Sequence, residues 1–410
     1  MKRIATVGTC LVAMAAGLSA QTSLVKSAKS DFNSAPDYAS YQAVVKTLEP
    51  AFTNPETATS AETWFVPGEA GFKVYDNYLV QQQLGQEINY DDMGRALLDG
   101  YDFFMKAFPL DSLPDAKGKV KPKYSKKMID EIVGHIDDFD RAAVGFWEAK
   151  DFRNAYRAWD VRLDIPSNPR YAKSGIKAIP DSVTSQIRFN QALAAWQSED
   201  LGLALKAFDQ ALSLGNNDPK AFEYAYSVAY QAKDSLHMQK FAEEGLKRFG
   251  TVDPKFLLWT VNGYIDRKDY AGASKLLEDA IAADPQNPTY YFSYGVLNES
   301  AGNRDTAKEN YTKAIALDPG MYQANLNFGR MLAEDYDALD QETGNMSQAD
   351  YNKYAAETLN PILRKSAEYF EAAHKINPEE KAPLLYLKNV YYRLNDGENL
   401  KRVEDELKYM

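Results

Sequence analysis

Two stretches of the chain repeat one another without a gap. Residues 257–285 (LLWTVNGYIDRKDYAGASKLLEDAIAADP) and 291–319 (YFSYGVLNESAGNRDTAKENYTKAIALDP) align at an offset of 34. Ala273 falls on Ala307, Leu277 on Tyr311, Ala280 on Ala314, and Asp284-Pro285 on Asp318-Pro319. Self-similarity at this period, with small residues at helical spacing, confines the fold to a stack of helix–turn–helix units. Each unit is too small to bury its own apolar face, so neighbours must cover it. No convincing run of alternating Val, Ile and Thr suggests a strand. An apolar fraction of 45% with 26% charged residues suits such a packed, water-exposed stack.

The repeat resembles the tetratricopeptide repeat (TPR) family. That family's pattern is an aromatic residue or Leu, a small residue four on, then A-x3-F-x2-A and a closing Pro. Tyr291 and Gly295 open one unit here, and Ala307, Tyr311, Ala314 and Pro319 complete it. The resemblance implies an all-α fold, a right-handed α-solenoid of helix–turn–helix TPR units with two loop or helix insertions. Further units are marked by Phe189, Ala192, Ala204, Phe208 and Ala211, closing near Pro219, and by Tyr226, Tyr230, Met238, Ala242 and Gly245. Gly329 opens another, whose second helix carries Ser366, Phe370, Ala373 and Pro378. Pro319 and Pro378 are 59 residues apart, 25 more than one period, which places an insertion near 333–358.

The expected organisation is a signal peptide at 1–20, a divergent TPR-like helical region at 21–180, a TPR array at 181–378 and capping helices at 379–410. In the divergent region Phe146, Phe152, Ala155 and Trp159 fit the turn and second helix of a unit, with Pro166 after it. Trp64 and Gly68 imitate a unit opening, with a partner helix from Asp92 to Phe108 after an insertion near 76–91.

Lys2 and Arg3 precede an uncharged stretch from Ile4 to Leu18 and a small-residue exit at Ser19-Ala20. These are the parts of an export signal. The sole cysteine, Cys10, lies inside that stretch, so the product is read as cysteine-free and periplasmic, with outer-membrane association or secretion left open. No later segment is long and apolar enough to span a bilayer. Lys+Arg 47 against Asp+Glu 58 gives a net charge of −11, which argues against a nucleic-acid partner.

Catalytic motifs are not found: there is no H-E-x-x-H, G-x-S-x-G or G-x-x-x-x-G-K-[ST]. His135, His237 and His374 are widely separated and are read as surface or groove residues without a second ligand at helical spacing. No metal, no cofactor and no catalytic residue is therefore expected, and the chain is read as non-enzymatic. The acids from Asp335 to Glu342 depart from a calcium loop, since Leu339 breaks the alternation, and are read as a polar loop. Six lysines from Lys117 to Lys127 are read as a linker between helical units.

TPR resemblance implies an interaction module whose first helices line a groove for a peptide or partner segment. On the register above, Phe189, Leu193 and Trp196 come from one first helix, and Leu258 and Asn262 from another. Phe292, Val296 and Glu299 follow, then Leu326 and Arg330. Spacing of three and four puts each set on one helix face. Asn262 and Arg330 are isolated, so the repeated Lys/Arg/Asn clamp of some family members is not reproduced. The expected function is an exported scaffold or adaptor for a protein or peptide partner, a cell-envelope component, with self-association left open. A second reading, from a different class, is a glycan-binding protein or hydrolase with its site in the insertions or the N-terminal half. The 27 tyrosines keep carbohydrate stacking in view.

Overall fold

Every regular element among the described residues is helical, apart from an isolated antiparallel bridge between Pro114 and Val120. The computed structural model describes residues 21–114, 117–250, 253 and 255–410. The export signal read at 1–20 lies outside the described residues. The chain forms two compact units, Met1–His237 and Met238–Met410.

The first unit begins with a helix at 21–32, here α1. It continues through α2 (Tyr38–Thr47), α3 (Glu49–Thr53), α4 (Pro55–Ala58), α5 (Ala61–Gln83), α6 (Tyr90–Asp111) and α7 (Ser125–Gly134). The antiparallel pairs α8 (Asp138–Glu148) with α9 (Phe152–Ser167) and α10 (Asp181–Gln197) with α11 (Leu201–Ser213) follow, then α12 (Pro219–Gln231). The unit boundary falls in α13 (Ser235–Phe249). The second unit holds α14 (Lys255–Asp266), α15 (Tyr270–Ala283), α16 (Pro288–Ser300), α17 (Arg304–Leu317) and α18 (Tyr322–Gln341). It ends with α19 (Gln348–Tyr354), α20 (Asn360–Ile376), α21 (Lys381–Arg393) and α22 (Gly397–Tyr409). In both units each helix packs mainly on its chain neighbours, the local contact pattern of an all-α solenoid.

One turn recurs inside the helix pairs. Lys150, Glu199, Lys233, Lys268, Gly302 and Asn395 each adopt a positive φ, between +52° and +83°. The next residue is an acid or Asn whose N–H donates to the carbonyl five residues back, at 2.8–3.0 Å, as in Asp200 to Ala195 and Asp269 to Tyr264. This closes the first helix with a Schellman-type bond. The side chains of Asp151, Asp200, Asp234, Asp269 and Asp396 then accept the N–H three residues on, at 3.0–3.2 Å, and so cap the second helix. A left-handed non-glycine residue costs about 1–2 kcal/mol, so the reciprocal bonds must offset that strain. Glu199, Lys233, Lys268 and Gly302 stand 34, 35 and 34 residues apart, and the period read from the sequence is thereby the period of the turn.

Small residues let the helices of a pair close. A Cβ on Gly295 of α16 would lie 2.6 Å from the Tyr311 ring of α17, and one on Gly329 of α18 would lie 2.9 Å from the Phe370 ring of α20. Ala273, Leu277, Ala307, Tyr311 and Ala314 are all buried, as the alignment requires. Ser366 Oγ donates to the Gly329 carbonyl at 2.7 Å, joining Gly329 to the second helix assigned to it.

Several expectations are corrected. The stretch from Asp335 to Glu342 is no loop: α18 runs unbroken to Gln341, and the insertion continues as α19 and a π-helical turn, Ala355–Leu359, leading into α20. The insertion near 76–91 is divided: its first half extends α5 to Gln83, and its last two residues already belong to α6. Pro219 does not close a unit but opens α12 at its first position, and Pro166 lies within the last turn of α9. The lysine-rich segment is tied down at its end by Asp111. That buried carboxylate accepts the N–H groups of Lys123, Tyr124 and Ser125 at 2.6–2.9 Å, capping α7 from the end of α6.

Two outcomes follow. Gly295→Ala is expected to destabilise the protein by about 1–3 kcal/mol through overpacking. Gly263→Ala, whose new Cβ would have only the end of Arg267 near it, at 3.7 Å, should stabilise α14 by about 0.5–1 kcal/mol. Urea melts of the two variants must move in opposite directions. Burial raises the Asp111 pKa, but the bonds from Ser125, Lys123 and Tyr124 outweigh it and hold the pKa below the ordinary value. Its contribution is thus present above about pH 4 and lost as pH falls through the lower folded value. Asp111→Ala should cost about 2 kcal/mol at pH 7 and progressively less in melts toward pH 3.

Candidate functional site

The ten residues picked out as groove candidates fall on the expected first helices. Phe189, Leu193 and Trp196 stand on α10 in the first unit; the other seven stand on α14, α16 and α18 in the second. Phe189 packs its ring edge-on to Phe208 and stacks with Tyr224, at centroid separations of 5.9 and 6.4 Å. Trp196 lies tilted on Tyr224, and its indole N–H donates to Gln231 at 3.0 Å. Leu193 borders a shallow apolar cleft with Trp147, Trp159 and Asn190.

In the second unit Leu258 is half-buried and Asn262 exposed, one turn apart on α14. Phe292 sits 5.8 Å from the Tyr311 ring, and Val296 packs against the Ala307, Phe328 and Met331 core. Leu326 packs instead on the C-terminal core around Leu363 and Leu387. Glu299 and Arg330 are joined. The Glu299 carboxylate accepts from Tyr311 Oη at 2.7 Å and pairs with the Arg330 guanidinium, which also donates to Glu334 at 2.5 Å.

That pair belongs to a longer strip. Arg304 bonds Glu334 and Asp335 at 3.0 and 2.9 Å, Lys308 meets Asp335 at 2.5 Å, and Arg393 pairs with Asp337 while lying 5.1 Å over the Tyr336 ring. Desolvation works against the Arg330 charge, but Glu299 and Glu334 outweigh it and raise its pKa, so it stays cationic. Burial, then the Glu299 carboxylate, holds the Tyr311 hydroxyl far above its ordinary pKa and keeps it a donor. Burial, with Asp340 behind it, pushes Tyr336 up to about 12.

Beside Arg330 the first helices α18 and α21 flank a cleft of about 150 Å³. Leu363 of α20 and Val390 are its apolar parts; Arg330, Glu334, Asp337, Asn389 and Arg393 are its polar ones. Both arginines are already paired with acids of the protein, so an incoming carboxylate competes with those acids for the positive charge. A segment carrying both signs of charge can instead extend the existing alternation. Tyr386, Asn389 and Arg393 were missed by the sequence reading, although their spacing of three and four puts them on one face of α21. Glu131 was missed too: it stands one turn before His135 on α7, within reach of the same ring.

A tetratricopeptide repeat family model matches residues 141–336. This stretch of the chain is a TPR array. It runs from within α8 into α18 and so includes α10, α14, α16 and most of the strip around Glu299 and Arg330. Among solved structures, YrrB, described as a TPR protein with an unusual peptide-binding site, shares 18% identity over 49% of this chain and 90% of that one, with a TM-score of 0.31. MamA (41-end) from Desulfovibrio magneticus RS-1 shares 15% over 48% and 97%, TM-score 0.34. PilF of Pseudomonas aeruginosa shares 12% over 56% and 92%, TM-score 0.39. At these TM-scores the likenesses carry no argument about what the TPR array binds. Curated proteins give no match.

The Glu299–Arg330 pair is half-buried and shares Tyr311, so it should exceed the coupling of an exposed ion pair. A double-mutant cycle with Glu299→Gln and Arg330→Met, read by urea denaturation, is expected to return a coupling of about 1 kcal/mol or more.

Proposed function

We propose that this TPR protein is an exported scaffold or adaptor whose array, residues 181–378, holds a partner segment on its first-helix face, with 379–410 acting as the cap. The observation that carries the proposal is the open cleft between α18 and α21, bordered by alternating charges and continuous with the Arg330–Glu299 strip. Aromatic and apolar side chains beside polar anchors suit a bound peptide, whose affinity then rests on a few buried contacts. The partner is a cell-envelope protein presenting a mixed-charge segment with an apolar anchor, a choice that follows from the export signal read at the N-terminus. Leu258, Asn262, Phe292, Val296, Glu299, Leu326 and Arg330 are the proposed contacts in the second unit; Phe189, Leu193 and Trp196 are those on α10. Self-association of the array is a lesser variant of the same reading. No catalytic role is proposed.

Site-specific photo-crosslinking in the native host tests this. A photoreactive residue at Asn262 or Asn389 should capture one defined partner, and the same residue at exposed Glu309 on the second helix α17 should not. Equal capture from both faces, or none from the first-helix face, would refute the groove.

A further inference from the structure

The first unit contains a cleft of about 490 Å³ bordered by α1, α5 and α7. Asp76, on the extended part of α5, and Glu131 of α7 border one end of it, and His135, one turn after Glu131 at the C-terminal cap of α7, lies beside them. The ring of His135 is fixed by packing, 5.1 Å from Phe72 and edge-on to Tyr75 at 5.7 Å. Its Nδ1 lies 2.9 Å from the Glu131 backbone carbonyl. A carbonyl only accepts, so Nδ1 carries a proton and any metal must be taken by the other nitrogen.

That other nitrogen, Nε2, is 3.0 Å from Asp76 Oδ1. A carboxylate also only accepts. Both ring nitrogens thus face acceptors, and the space between Nε2 and the acids must hold a positive charge, either a second proton or a metal ion. The Glu131 carboxylate is half-buried, borders the same space and has no hydrogen bond or ion pair among the described residues. One donor atom from each of the three residues lies within 4.8 Å of the other two. Metal–ligand bonds of about 2.0–2.2 Å need donors roughly 3–4 Å apart, so the carboxylates must draw in around a bound ion.

We propose that Asp76, Glu131 and His135 bind a divalent transition cation of the zinc class, bridging α5 to α7. One imidazole nitrogen and two carboxylate oxygens are a donor set for Zn²⁺ or Co²⁺. Three protein ligands leave a coordination position on the cleft side for water or for a carboxylate of a bound molecule. Lys29, Lys73 and Lys127 border the same cleft and oppose cation binding; Lys127 is neutralised by Glu69, and Lys73 donates to the Asn33 amide oxygen at 3.0 Å. This inference concerns the first unit and stands apart from the groove proposal.

The test is calorimetric titration of ZnCl2 into the metal-stripped full chain at pH 7.5, with Co²⁺ absorption as a second readout. The expected result is one ion per chain and a raised melting temperature in Zn²⁺. Asp76→Asn and His135→Ala should each weaken binding by about tenfold or more and abolish the cobalt absorption, while His237→Gln and His374→Gln should leave both unchanged. Asp76 is half exposed, so Asp76→Asn is expected to keep its fold, checked by circular dichroism. Absence of Zn²⁺ binding, or equal affinity in wild type, Asp76→Asn and His135→Ala, would overturn the site and leave a plain histidine–aspartate ion pair.

Discussion

The structure depends on how closely two antiparallel helices can approach. In the second unit a glycine on each of two first helices faces an aromatic ring of its partner, Gly295 against Tyr311 and Gly329 against Phe370. Removing the Cβ from one side allows the ring to lie flat on backbone, and the buried alanines Ala307 and Ala314 continue the contact along the pair. In the first unit the principle is taken further. A Cβ on Gly71 of α5 would lie 2.8 Å from Gly100 Cα on α6, so there the two backbones themselves touch. Close packing of this kind is intolerant of added volume, which is why the pattern of small residues is visible in the sequence at all.

Much of the architecture was legible for that reason. The 34-residue offset, the Ala and Gly positions and the late second helix at Ser366 and Phe370 each report a steric requirement, and sterics leave a residue-type signature. The turns were legible in principle and were overlooked. An acid or Asn after Lys, Glu, Gly or Asn repeats along the chain because one residue takes a left-handed φ and the next caps a helix, but no single residue type marks the left-handed position. The stretch from Asp335 to Glu342 was misread for a different cause. Asp335, Asp337 and Asp340 look like a loop by polarity, yet each has a partner that accommodates it on a helix: Arg304 and Lys308, Arg393, and Tyr351. Polarity alone cannot distinguish a loop from a charged helix whose counter-charges lie far away in sequence.

The candidate sites were legible only in part. First-helix membership of Leu258, Val296, Glu299 and Arg330 follows from periodicity. That Glu299 and Arg330 neutralise each other does not, because their pairing spans 31 residues and depends on the stacking of α16 and α18. The same holds for Asp76 with His135, which are 59 residues apart. Glu131, by contrast, stands one turn from His135 and was available to a reader who allowed a carboxylate as the second ligand. Charge pairs within a helix are a property of spacing, and pairs between helices are a property of the fold.

The close glycine–aromatic contact can be observed directly. Selective ¹³C-glycine labelling resolves the Hα protons of Gly295 and Gly329, which lie against the Tyr311 and Phe370 rings. Upfield ring-current shifts for these two glycines, with nuclear Overhauser contacts to those rings, are the result expected here. Random-coil shifts and no ring contacts would mean that the helices of the repeat do not meet where this account requires.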